Sequence, residues 1–204
     1  MLDVVQDVHG CEVGHRAAGS DANRHGLFAL YVPSMRNGAE RREDRGNAIL
    51  STLPLRDPVA IELPFERQRR VAVAAEVTIA TPRGPARIRL VSGHLDNGSG
   101  AARFWRSLGA GRRRQGEGLL RQLEEWEHVV LGADLNTWFG ESREPALRLL
   151  RRRLPAPARL PAEPTYQPPY ALPERQVDYL LFRLPDGWEA GYRVSAERWG
   201  SDHA

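Results

Sequence analysis

Two β-patterned apolar runs, RVAVAAEVTI (70–79) and ARIRLVSGHL (86–95), flank the segment TPRGP (81–85). Pro and Gly at that junction break regular structure, so the pair reads as a hairpin or a close relative. This most constrains the fold, because it commits the middle of the chain to sheet. Further strand candidates are LDVVQDV (2–8), LFALYVP (27–33), NAILST (47–52, stopped by Pro54), HVVLGADLN (128–136) and QVDYLLFRL (176–184). Between Ala101 and Trp126 the pattern changes. Leu119, Leu120, Leu123 and Trp126 fall at spacings of one, four and seven, which is one face of a helix. PALRLLRRRL (145–154) predicts a short helix with Pro145 in its first turn. Its Arg151–Arg153 run reads as a solvated helix end, favourable at the negative pole of the helix. Residues 9–26 and 35–46 read as polar loops. Residues 155–176 are so proline-rich that neither helix nor central strand can run through them, which predicts a long ordered or semi-rigid loop. Strands outnumber helices and the helices lie between strands, so a layered mixed α/β architecture is expected.

A chain of 204 residues, 41% hydrophobic and 27% charged, holds one domain with a real core. There is no internal repeat and no break in composition. No apolar run is long enough to span a bilayer and no secretory signal pattern opens the chain, so a cytoplasmic location is expected. Cys11 is the only cysteine, which excludes an intrachain disulfide and a zinc–thiolate cluster. All 29 basic residues are arginine, and the net charge is +3. That balance permits an anionic substrate without the dense basic face of a committed nucleic-acid binder.

The segment VVLGADLNTW (129–138) ends an apolar strand on Asp134 and Asn136. Side chains two apart on an extended chain point to one side, so both would converge on one spot. The plain alternative is a turn, since Asp and Asn hydrogen-bond their own backbone. Other polar residues also end or interrupt apolar strands: Asp7, His94, Asp178, Asp202 and His203. A carboxylate inside QVDYLLF needs a partner, and a histidine is a good one. Carboxylates, an amide and imidazoles, with no serine or cysteine nucleophile beside a base, suit a hard divalent cation and proton transfer near neutral pH. Together they match metal-assisted hydrolysis of a phosphoester.

The motifs GNAILS (46–51), SGHLDN (92–97), LGADLN (131–136), QVDYLLF (176–182) and SDH (201–203), in that order, resemble the endonuclease/exonuclease/phosphatase superfamily. The resemblance covers nearly the whole chain. It implies an α+β fold of the DNase I-like type: a four-layer sandwich of two packed mixed β-sheets flanked by helices. It implies a single domain over 1–204, truncated at both ends and lacking the first and last strands. It further implies that His94 binds the scissile phosphate. Asp134 would orient or deprotonate the attacking water, with Asn136 contacting the phosphate or holding that geometry. Asp178 would hold His203, and His203 would contact the phosphate or share the proton work.

Mg2+ or Mn2+ is the implied cofactor, with Asp7 and Asp202 as its ligands. Asp7, in Gln6-Asp7, stands where the family usually has Gln-Glu. Asn47 and Arg45 are expected to bind substrate, and Arg36, Arg41 and Arg42 could join Arg45 in a basic groove. The partner is a phosphoester, with nucleic acid, a lipid headgroup and a small phosphoester all candidates. The expected function is a metal-dependent hydrolase of phosphoester bonds; the alternative is a catalytically impaired relative that binds phosphate-bearing ligands.

Overall fold

A computed structural model describes residues 28–33, 46–97, 109–168, 173–195 and 201–203. Its strands are β1 (Phe28–Pro33), β2 (Gly46–Ser51), β3 (Arg56–Glu62), β4 (Val71–Ile79), β5 (Ala86–His94), β6 (Val129–Asp134) and β7 (Asp178–Arg183). Its helices are α1 (Ala110–Leu123) and α2 (Pro145–Arg153). The strand expected over 2–8 lies outside the described residues.

β1 and β2 pair antiparallel as a two-stranded sheet, and the other five strands form one sheet in the order β3-β4-β5-β6-β7. β4 and β5 are the expected antiparallel hairpin. Gly84 turns it at φ 112°, a conformation an L side chain resists, and its N–H donates to the Thr81 carbonyl at 3.0 Å. β5 and β6 are parallel, which requires a crossover, and α1 supplies it. β7 returns antiparallel to β6, so the larger sheet is mixed.

Alternation along β4 builds the layers. Ala72 and Ala74 belong to a core with Leu119 and Leu123 of α1 and Leu147 and Leu150 of α2. Val73, Ala75 and Val77 belong to a second core with Ile49 of β2, and Leu30 of β1 packs against it. The large sheet is therefore buried on both faces, between the helices and the small sheet. This is the expected α+β sandwich. The described residues form three layers, the helices, the large sheet and the small sheet, and the small sheet there is purely antiparallel.

β2 stops before Pro54 as expected, but a strand not read from the sequence, β3, follows in the larger sheet despite Pro58. It is an edge strand, where a missing N–H costs no ladder bond. A register shift between Arg56 and Val59, with Asp57 at φ 47°, absorbs the proline. Arg151 is not a solvated helix end. It donates to the carbonyls of Pro155 and Ala158 at 3.1 and 3.2 Å, and so ties α2 to the proline-rich loop. That loop then pairs Ala156 with Phe182, which covers part of the β7 edge.

Candidate active site

Strand register assembles the site. The parallel pairing of β5 with β6 sets His94 opposite Asp134, and the antiparallel pairing of β6 with β7 sets Asp134 opposite Asp178. Two strand ends and one strand start thus place three polar side chains in a row across the sheet. His94 Nε2 lies 3.3 Å from Asp134 Oδ2. Asp178 Oδ2 lies 2.8 Å from His203 Nδ1. Asp134, Asp178 and His203 each offer a ligand atom, and these lie within 4.8 Å of one another.

Asp134 and Asn136 meet by a different route from strand alternation. The Asn136 N–H donates to Asp134 Oδ1 at 2.7 Å, with Asn136 in the left-handed region at φ 49°. The turn reading and the convergent reading both hold, because the turn itself brings the two together. Asn136 Nδ2 donates to the Leu95 carbonyl at 2.9 Å and so fastens the end of β6 to that of β5. On the other side, Thr165 Oγ1 accepts the N–H groups of Val177 and Asp178, both at 3.0 Å. The proline-rich loop thereby fixes the start of β7. Tyr166 of the same loop lies against the His203 ring, with centroids 4.9 Å apart.

Burial pushes the Asp134 carboxyl up to about 7, and the charge of Asp178 pushes the same way. The Asn136 N–H, His203 and Arg70 oppose them. Burial pulls the His203 imidazole down, but its hydrogen bond to Asp178, Asp178's charge and those of Asp134 and Asp202 outweigh this and push it up to about 9. Near neutral pH the site therefore holds a carboxyl able to exchange a proton, beside an imidazolium fixed by its carboxylate.

These groups open into a cleft of about 530 Å3. Its walls are polar, with carboxylates from Asp96, Asp134 and Asp202 and amides from Asn97 and Asn136. Cations come from Arg67, Arg70 and Arg175, and aromatic rings from Trp138 and Tyr166. Such oxygen-rich donors fit a hard divalent cation. Of the residues expected from sequence, the fold gathers His94, Asp134, Asn136 and His203 on the cleft, with Asp178 behind His203. Asp202 stands exposed at the cleft and outside the tight three-group cluster. Asn47 is buried, donates to the Val71 carbonyl at 2.6 Å, and is not among the residues lining the cleft. Asp7, Arg36, Arg41, Arg42 and Arg45 lie outside the described residues.

Sequence reasoning missed Arg67, Arg70, Asp96, Asn97, Trp138, Tyr166 and Arg175. For the last two the available signal was an arginine and a tyrosine inside a proline-rich segment too long to be mere connection.

The model of the Endonuclease/Exonuclease/phosphatase family matches residues 11–203, and the chain belongs to that family. Its members are hydrolases of phosphoesters and generally use divalent metals. No curated protein matches the sequence. Among solved structures, the human Nocturnin catalytic domain with bound sulfate aligns at TM-score 0.55 and 17% identity, over 78% of this chain and 62% of that one. An endonuclease/exonuclease/phosphatase from Bacteroides vulgatus aligns at 0.57 and 13%, over 78% and 65%. D. rerio TDP2 complexed with a single-strand DNA product aligns at 0.54 and 14%, over 82% and 66%. At these identities the likeness is one of fold. The chain spans 62–65% of the length of the first solved structures it matches. No helix among the described residues is long and apolar enough to cross a membrane.

Proposed function

We propose that the cleft hydrolyses phosphoester bonds by attack of water with the help of a divalent cation. The supporting observation is the row His94, Asp134, Asp178, completed by His203, in which burial holds the Asp134 carboxyl near neutrality. A general base works best when its pKa lies near the operating pH. Asp134 orients the attacking water and accepts its proton. The side chain of Asn136 holds the turn that aims Asp134. His94 binds a phosphoryl oxygen. His203, kept charged and oriented by Asp178, offers its remaining ring N–H to the phosphoryl group or the departing oxygen. Mg2+ or Mn2+, held by Asp202 with Asp7, would supply positive charge to keep carboxylates ionised and offset charge on the phosphoryl oxygens. Nucleic acid and small phosphoesters are both candidate substrates, and Arg45 a candidate contact for either.

The test is hydrolysis of bis-p-nitrophenyl phosphate with Mg2+, Mn2+ or EDTA, beside Asp134→Ala and His203→Ala. Metal-dependent turnover, abolished in both variants while the thermal midpoint of Asp134→Ala stays nearly intact, is the expected result. Turnover that survives Asp134→Ala would overturn the role given to Asp134. Phosphate binding without turnover in the wild type would replace hydrolysis by the binding-module reading.

A further inference from the structure

Arg175 carries a charge that the proposed chemistry leaves unused. Its guanidinium carbon lies 3.9 Å from the centre of the Trp138 ring and 5.0 Å from that of Tyr166. Its backbone pairs with Tyr166 in both directions, at 3.0 and 3.2 Å. The side chain is thus held by two rings and by the strap that carries it, and it lines the same cleft as His94, Asp134 and His203. Among the described residues its guanidinium forms no ion pair, and its buried Nε has no hydrogen-bond partner. Burial and the charge of Arg112 act against its own charge, while Tyr166 and Asp134 favour it.

A half-buried cation with spare N–H donors is costly. Stacking on aromatic rings recovers part of that cost and leaves the donors at the guanidinium edge. An arginine so placed is preorganised for a group with two acceptor oxygens in one plane, and a phosphoryl group has them. We infer that Arg175 is a substrate-binding residue, held ready by Trp138 and Tyr166 to take the non-bridging oxygens of a phosphoryl group in the cleft. This rests on the phosphoester reading of the site. Closing the contact satisfies the arginine and anchors the phosphoryl group beside Asp134 at once.

The experiment compares the wild type with Arg175→Met, which keeps length and ring contact but not charge, and with Arg175→Ala. The readouts are KM for bis-p-nitrophenyl phosphate and the dissociation constant of inorganic phosphate by calorimetry. Loss of a charge-assisted contact should weaken both by about tenfold or more in each variant. Millimolar guanidinium chloride should restore part of the loss in Arg175→Ala, where sodium chloride at equal ionic strength does not. A merely structural arginine would not respond so. Phosphate binding within twofold of wild type in Arg175→Met overturns the inference, as does a loss that guanidinium cannot reverse. If the wild type neither binds phosphate nor turns over substrate, the phosphoester reading falls first and this falls with it. If the wild type does either and Arg175→Met matches it, only the role of Arg175 falls.

Discussion

Glu144→Ala should be among the most damaging single changes to the described structure, and it acts through the wall of the cleft. Glu144 is 1% exposed. Its oxygens accept from Arg112 Nη2 at 3.1 and 2.9 Å. Oε1 also accepts the backbone N–H groups of Trp138 and Phe139, at 2.7 and 3.2 Å. One carboxylate therefore ties α1 to the segment that carries Asn136 and Trp138. Removing one partner of a buried ion pair costs about 3–5 kcal/mol. The two orphaned N–H groups add to that, and water entering the void takes some of it back, so we expect a loss of about 4 kcal/mol.

For a chain of this size each kcal/mol moves the midpoint by about 2–4 °C, which gives a fall of about 8–16 °C. Glu144→Gln keeps an acceptor for the two backbone N–H groups but turns an amide toward Arg112. It should cost about half as much, roughly 2 kcal/mol. Urea titration and calorimetry on the three proteins decide it. A loss under about 1 kcal/mol in Glu144→Ala, or equal losses in both variants, would refute the argument that this carboxylate is a buried three-way junction.

Two further outcomes are expected. In EDTA the thermal midpoint should fall as pH rises from about 6 to 9. Asp134 and His203 both bind their proton more tightly folded than unfolded, with folded values of about 7 and 9. The native state therefore holds more protons across that window, and stability drops as they leave. His203's share is fully present below its unfolded value and is lost through about 9. Asp178→Asn should flatten the upper part of the slope, and a midpoint that rises with pH would contradict the assignment. Gly118→Ala, a gain of about 1 kcal/mol by helix propensity, should instead destabilise, because its Cβ would lie 2.6 Å from Pro64 Cδ. A raised midpoint would show that the Pro64 segment gives way.

The hairpin β4–β5, the helix face Leu119, Leu120, Leu123 and the strands ending in His94 and Asp134 were legible because each is a local pattern. Burial alternates or recurs at the period of the element that makes it. β3 was not legible. Pro58 forbids a central strand, and only its place at the sheet edge makes it harmless. Arg151 likewise reads as one of three exposed arginines until the proline-rich loop folds back and presents carbonyls to it.

The sequence by itself determined a layered mixed α/β architecture and, on the cleft, His94, Asp134, Asn136, Asp202 and His203, since carboxylates and imidazoles closing apolar strands are costly unless they meet partners. It also held the partnership of Asp178 with a histidine as an expectation. Tertiary structure decided the rest. Register alone puts His94, Asp134 and Asp178 in one row, and the left-handed turn at Asn136, rather than strand alternation, closes that residue on Asp134. The packing of Arg175 against Trp138 and Tyr166 is likewise invisible in one dimension. Those rings lie 37 and 9 residues away along the chain, and only the folding of the proline-rich loop over the sheet end brings all three together.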